Sequence, residues 1–277
     1  MRVIRTMVVV GLVVGGIAAA PSAQAVRAID PNSKPCDKTL ISAHEGYTKN
    51  NDADTVESQR AAFRVGSNMA DSDLWVTKDG YLVEIHDNDV SKTTDGTGLV
   101  TEMTLDQILQ LRTKHHHEKV PQLGDSLTIN KAHKTGRYLM LETKFPFGQE
   151  ENRQRLVDEI TAAGMTDHVV IYSSFLKQAQ AIKAMDPGLT VWWKEISSPD
   201  KSAPDLSDLE GVDGVMISPL RLNSTVVSEL HAKGMTAIRE RTSVENPLKW
   251  KAFVESGADG LMTIDPPTVV AECRALP

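Results

Sequence analysis

The chain has 277 residues, with 30 Lys and Arg against 37 Asp and Glu, a formal net charge of −7 and 40% hydrophobic residues. An acidic chain without a basic run is a poor binder of nucleic acid or of anionic membrane surfaces by long-range electrostatics. Its length suits one large α/β domain or two small ones.

The first segment carries Arg2 and Arg5, an apolar run from Met7 to Ala20, and then Ala23-Gln24-Ala25. These are the three parts of a secretory signal, so cleavage near Ala25, a mature domain over 26–277 and a secreted protein are expected. The apolar run is shorter than the roughly 20 residues a membrane-spanning helix needs, which argues against a stable span. An uncleaved N-terminal anchor is the alternative. Cys36 and Cys273 lie near the two ends of the mature chain. In an oxidising compartment they read as a disulfide staple, with two separate thiols as the alternative.

From Leu40–His44 onward, apolar strand-like runs alternate with charged, helix-like stretches. The strands are predicted at Leu40–His44, Met69–Trp75, Tyr138–Glu142, His168–Ser173, Leu189–Lys194, Gly214–Ser218, Thr236–Arg241 and Gly260–Ile264. Helices are predicted at Thr55–Val65, Thr104–Leu111, Glu151–Ala163, Phe175–Met185, Ser224–Lys233 and Pro247–Ser256, several stopped by a glycine such as Gly66 or Gly164. Eight such units without a low-complexity linker predict an α/β fold, a (β/α)₈ TIM barrel, with residues 199–210 as a surface connection. A doubly wound open sheet is the competitor, but no Gly-x-Gly-x-x-Gly follows the first strand.

The second strand is the most informative. Asp71 and Asp73 flank Ser72, so both carboxylates point to one face of a strand. Lys78-Asp79-Gly80 then reads as a tight turn, and Tyr81–Ile85 as a short strand that ends in His86 and Asp87, a small hairpin insertion after strand two. In barrels of this kind chemistry sits at the C-terminal ends of the strands. Residues expected there are His44, Glu45, Asp71, Asp73, His86, Glu142, Lys144, Ser173, Ser174, Lys194, Glu195, Arg239, Arg241 and Asp265.

Asp71, Asp73 and Glu142 offer only oxygen, the donor type of Mg²⁺ or Ca²⁺. Two imidazoles not needed as ligands can deprotonate a nucleophile and protonate a leaving oxygen, and a metal beside them suits phosphoryl chemistry. Lys144, on the same strand face as Glu142, adds positive charge. The plain alternatives are a solvated Asp pair and a structural His86–Asp87 pair. The tract His115–His117 reads as solvated loop, and Ser173-Ser174 lacks a Gly-x-Ser-x-Gly elbow.

These residues in this order resemble the glycerophosphodiester phosphodiesterase family. The family's His-Arg-Gly is His44-Glu45-Gly46; its Glu-x-Asp and Thr-Lys-Asp-Gly are Asp71-Ser72-Asp73 and Thr77 to Gly80. Its His-Asp and Thr-Thr-x-Gly-x-Gly are His86-Asp87 and Thr93 to Gly98, with Val120 to Leu123, Glu142 to Lys144, Ser174-Phe175 and Gly257 to Pro266 following. The resemblance implies a TIM barrel with the hairpin insertion and His44 and His86 as acid and base. It also implies one divalent cation, Mg²⁺ or Ca²⁺, on Asp71, Asp73 and Glu142, with Lys144 on the phosphate. The product would be sn-glycerol 3-phosphate and an alcohol, by way of a cyclic phosphate.

The chain departs from the pattern at Glu45, where the family has a phosphate-pairing Arg, and at Asp71, one methylene shorter than Glu. It also has Ala53-Asp54-Thr55 for Glu-Asn-Thr and Arg239-Glu240-Arg241 for an aromatic segment. Lys194, Arg239 or Arg241 is expected to take over the missing phosphate charge. The substrate class is a small phosphodiester or a lysophospholipid-like molecule, and a monomer is expected. The runner-up is the sphingomyelinase D branch, disfavoured because no apolar rim is evident around the mouth. An inactive barrel that only binds phosphodiesters is the third reading.

Overall fold

The computed structural model describes residues 38–132, 136–146, 148–195, 209–241 and 247–276. Its strands are β1 (Leu40–Ala43), β2 (Met69–Val76), β3 (Leu82–Glu84), β4 (Tyr138–Thr143), β5 (Val169–Ser173), β6 (Thr190–Lys194), β7 (Gly214–Ile217), β8 (Thr236–Arg239) and β9 (Gly260–Thr263). All but β3 are parallel, in the order β1-β9-β8-β7-β6-β5-β4-β2, and the ring closes where Ser42 and Ala43 of β1 pair with Met69 and Ala70 of β2. This is the eight-stranded (β/α)₈ barrel. β3 pairs antiparallel with the far end of β2, Trp75 opposite Val83, and forms the hairpin insertion.

Strand parity determines what lies inside. Leu40, Met69, Met140, Val170, Tyr172, Trp192, Met216, Ile238 and Met262 form one buried cluster that fills the barrel. Their neighbours Leu139, Leu141, Ile171, Val191, Val215 and Ala237 belong instead to the layer under the helices. With side chains alternating at period two, positions two residues beyond the inner set also face inward, but at the open C-terminal end. They are Asp71, Glu142, Ser174, Lys194, Ser218, Glu240 and Ile264. Trp192 fits because β7 begins with Gly214, where a Cβ would come within 2.8 Å of the indole and 2.7 Å of the Thr236 carbonyl oxygen.

The described helices are α1 (Val56–Arg64), α2 (Leu105–Leu109), α3 (Leu123–Lys131), α4 (Glu150–Ala162), α5 (Leu176–Met185), α6 (Ser224–Ala232), α7 (Pro247–Ser256) and α8 (Pro266–Arg274). Thr55 caps α1 by accepting from Ser58 N, and Ala62 and Phe63 pack on Ala43 and Ala70 of β1 and β2. Sequence reading missed α3 and α8. The first contains Gly124, Thr128, Ile129 and Asn130, all weak helix formers, and the second starts with Pro266-Pro267, which also reads as a loop. The insertion has its own small core of Val83, Ile85, Val90, Val100, Ile108 and Val120.

The secretory segment and Cys36 lie outside the described residues, as does nearly all of the expected connection at 199–210. Cys273 is buried on α8. No helix among the described residues is long and apolar enough to cross a membrane.

One buried acid behind the barrel wall bears on stability. Glu84 Oε2 accepts from Gln59 Nε2 at 2.5 Å and Ser72 Oγ at 2.8 Å, and burial pushes its pKa up to about 8. The folded protein therefore holds a proton that the unfolded chain releases above its ordinary carboxyl pKa, and the stability linked to it is lost as pH rises through about 8. Unfolding free energies from urea titrations should fall by a few kcal/mol between mildly acidic and mildly alkaline pH, and Glu84→Gln should flatten part of that slope. Parallel curves for the two proteins would contradict this protonation state.

Candidate active site

The C-terminal mouth of the barrel gathers five carboxylates, of Glu45, Asp71, Asp73, Glu142 and Glu240, with two imidazoles and two ammonium groups. Glu45 sits at the centre. Its Oε1 lies 3.6 Å from His44 Nδ1 and 3.7 Å from His86 Nε2, so one carboxylate spans both histidines. Glu45 reaches this place from a backbone turn with φ of +54°, a left-handed conformation uncommon for a residue with a side chain. Its backbone N–H donates to Asp71 Oδ2 at 3.2 Å, tying the turn after β1 to the carboxylate on β2.

Asp71 and Asp73 are buried, as the parity of β2 requires. Tyr172 donates its hydroxyl to Asp71 Oδ1 at 2.9 Å, while Asp73 has Lys144 Nζ 3.3 Å from one oxygen and His86 Nε2 3.8 Å from the other. Glu142 Oε2 holds Lys144 and Lys194, each at 3.2 Å, and its Oε1 accepts from Ser174 Oγ at 3.2 Å. Lys194 Nζ also lies 3.7 Å from Glu240.

The surroundings divide the acids into two kinds. Burial opposes the charge on Glu142, but Lys194 and Lys144 outweigh it and bring its pKa down to about 2. Burial raises Asp71 to about 7 against the pull of the Glu45 N–H, and burial with repulsion from Asp54 and Asp71 raises Asp73 as well. His44 goes the other way. Burial first, then the charges of Arg241, Lys194, His86 and Lys144, bring it down to about 3, so it is a neutral imidazole at working pH. His86 is the more exposed of the two, at 41% of its side chain, and its Nδ1 lies 3.2 Å from Asp87.

A divalent cation fits this donor set. Asp71 and Asp73 are buried together with raised pKa values, a condition that a hard cation relieves. Asp71, Asp73 and Glu142 would supply oxygens. Among the described residues, the group whose ligand atoms all lie within 4.8 Å of one another is Glu45, Asp73 and His86, which shares only Asp73 with that set.

Of the residues expected at the mouth, His44, Glu45, Asp71, Asp73, His86, Glu142, Lys144, Ser174 and Lys194 come together. Arg239 does not: it is buried with its guanidinium 5.7 Å above the Phe253 ring and its Nη1 donating to the Lys249 carbonyl at 3.3 Å. Parity explains the correction, since Ile238 fills the barrel and its neighbour must face α7. Arg241, beyond the strand end, is exposed and near enough to influence His44. Ser173 Oγ accepts from Phe175 N, Asp265 caps α8, and Glu195 pairs with Arg221, so these three serve the scaffold.

Sequence reading missed Tyr172, Glu240 and Asp54. The first two follow from counting in twos from Val170 and Ile238 once the inner set is known. Asp54 accepts from Asp73 N at 3.0 Å and Ser72 Oγ at 3.2 Å, and nothing in its sequence neighbourhood signals that contact. Four large apolar side chains are exposed on segments that follow barrel strands. Phe175, Leu220, Leu248 and Ile264 are 55%, 93%, 78% and 44% exposed, on segments that follow β5, β7, β8 and β9.

Fold and site together define a TIM barrel with an acid–base and carboxylate centre at its C-terminal mouth. The chain belongs to the glycerophosphoryl diester phosphodiesterase family, which it matches over residues 44–268. It is 32% identical over 168 residues to the glycerophosphodiester phosphodiesterase of Caldanaerobacter subterraneus subsp. tengcongensis, covering 56% of this chain and 65% of that protein. It is also 32% identical over 115 residues to human glycerophosphodiester phosphodiesterase 1, covering 39% of this chain and 34% of that one. The matches thus span less than two thirds of these relatives. Among solved structures, a glycerophosphodiester phosphodiesterase from Parabacteroides distasonis superposes with a TM-score of 0.73 at 22% identity, covering 88% and 99% of the two chains. An Oleispira antarctica phosphodiesterase in complex with the product sn-glycerol-3-phosphate gives 0.72 at 20% identity, covering 86% and 97%. At these identities the likeness is one of fold.

Proposed function

We propose that this protein is a secreted, metal-dependent phosphodiesterase that hydrolyses glycerophosphodiesters to sn-glycerol 3-phosphate and an alcohol. The observation that carries the reading is the placement of His44 and His86 on either side of one Glu45 oxygen, beside the buried carboxylates and Lys144. In this reading neutral His44 is the base. It takes the proton of the substrate's neighbouring hydroxyl as that oxygen attacks phosphorus, and His86, open to solvent, gives a proton to the departing alcohol oxygen. The phosphorus–oxygen bond to the alcohol breaks, and a cyclic phosphate remains. Water then opens it with the two histidines in exchanged roles. Lys144 faces the phosphate, and Lys194 or Arg241 takes over the charge of the family's Arg. Mg²⁺ or Ca²⁺ held by Asp71, Asp73 and Glu142 would offset charge on a nonbridging phosphate oxygen.

Purified protein incubated with glycerophosphocholine should release glycerol 3-phosphate, and EDTA should abolish the release until Mg²⁺ or Ca²⁺ is returned. No turnover, or turnover indifferent to EDTA, would sink the mechanism. The exposed Phe175, Leu220, Leu248 and Ile264 favour a second reading, a lysophospholipid-like substrate whose acyl chain rests on them. Lysophosphatidylcholine should then be cleaved with a higher kcat/KM than glycerophosphocholine.

Export would begin with cleavage near Ala25, leaving 26–277 as one monomeric domain in which Cys36 pairs with Cys273. N-terminal sequencing of the secreted protein and non-reducing peptide mapping test both points. An intact leader or two alkylatable thiols would contradict them.

A further inference from the structure

A recess opens directly beside the catalytic residues. It has a volume of about 510 Å³ and is lined by Glu45 and Asn51 from the segment between β1 and α1, and by Lys92, Thr93, His115 and His116 from the insertion. Glu45, which lines the recess, also approaches both histidines, so the recess and the histidine pair share this residue.

Its walls are built rather than incidental. Asp52 N and Thr55 Oγ1 both donate to Glu118 Oε2, at 2.9 and 2.7 Å, and His116 N donates to Asp52 Oδ2 at 2.7 Å. Three hydrogen bonds therefore pin the insertion to the segment after β1 across a sequence separation of more than 60 residues. The tract His115–His117, which composition alone marks as solvated loop, forms part of this wall.

The lining chemistry is selective. It consists of hydroxyl, amide, imidazole, carboxyl and ammonium side chains, with Ala53 the sole apolar member. A quaternary ammonium would find no aromatic ring among these side chains. Hydrogen-bonding capacity is left over. Asn51 uses its Nδ2 on the Tyr47 carbonyl at 3.0 Å, which leaves Oδ1 as an acceptor, and Thr93 Oγ1 is buried without a hydrogen-bond partner.

We propose that this recess binds the leaving alcohol of the diester, and that the alcohol it is built for is a neutral polyol or sugar. The proposal rests on the phosphodiesterase reading and narrows its substrate class. A phosphodiester held at the histidines extends one substituent past Glu45, and several hydroxyls on that substituent would pair with Thr93, Asn51, His115 and Lys92. Sites that hydrogen-bond a hydroxyl discriminate strongly against analogues lacking it, because their own polar groups are left unpaired.

The test compares glycerophosphoinositol, glycerophosphoglycerol and glycerophosphocholine, which share the glycerol phosphate half. The two polyol diesters should have kcat/KM values about 10-fold or more above the choline diester. Asn51→Ala and Thr93→Val should each narrow that ratio several-fold, mainly through KM. A choline diester turned over as well as the others, or a ratio unmoved by both variants, would overturn the proposal. Calorimetric binding to His44→Ala separates it from the wider reading. If wild-type protein cleaves none of the three, the phosphodiesterase reading fails, while tighter binding of glycerophosphoinositol than of glycerophosphocholine still upholds the recess and equal binding rejects it.

Discussion

Replacing His44 or His86 by alanine is expected to lower kcat/KM for glycerophosphodiesters by about 10²- to 10⁴-fold each, the usual contribution of a positioned acid or base. The loss should fall on kcat. His86 is 41% exposed, so His86→Ala should leave folding nearly unchanged by circular dichroism, whereas His44 is mostly buried and His44→Ala should keep the fold at some cost in stability. The double variant should be little worse than the worse single one, because a proton removed at one side of phosphorus must be matched by one delivered at the other. Fully additive losses would mean that the histidines act in separate steps. Retention of full activity by either variant would remove that residue from the mechanism.

The second large effect is at Asp73. Asp73→Asn should abolish measurable turnover and at the same time stabilise the metal-free protein by about 1 kcal/mol or more. The two consequences share one cause. Asp73 is buried, and Asp54 and Asp71 repel its charge, with Lys144 the cation that offsets it. An amide of the same shape removes the repulsion, and Lys144 keeps Glu142 as a partner at 3.2 Å. Added Mg²⁺ or Ca²⁺ should raise the melting temperature of wild-type protein, by about 2.7 kcal/mol of stabilisation at a hundredfold excess over Kd, and should leave Asp73→Asn almost unmoved. An Asp73→Asn protein that melts lower than wild type without metal would show that the carboxylate is a net structural asset. Equal metal-induced shifts in both proteins would place the cation elsewhere.

Both predictions concern strain that the fold maintains at the mouth. A chain selected for stability alone would not bury Asp54, Asp71 and Asp73 within reach of one another, since each raises the cost of ionising the next. Glu45 adds to this from a left-handed backbone position. Where the resembled family pattern carries an Arg, this protein has a carboxylate 3.6 Å from His44 and 3.7 Å from His86.

Much of this was legible in the residue order because β-strands are local and strictly periodic. The spacing of Asp71 and Asp73, and of Glu142 and Lys144, places each pair on one strand face wherever the strand goes. The Lys78-Asp79-Gly80 turn likewise announces the hairpin that carries His86. Arg239 shows where the method ends. A period of two says which residues share a face but not which face is inside, and only the packing of Ile238 against the other barrel residues settles that Arg239 turns toward α7.

The sequence alone, through strand period, turn chemistry and the alternation of strands with helices, determined the barrel, the identity of most groups at its mouth and the family they resemble. Tertiary structure alone decided how those groups face one another. The contact of Glu45 with His86, the bond from Tyr172 to Asp71, the Asp54 acceptor behind Asp73 and the recess between Asn51 and His115 all join residues well separated in sequence. Local propensity carries no information about such distances. They exist because the strands close into a ring, with β1 paired to both β2 and β9, so that side chains from different strands converge on one mouth.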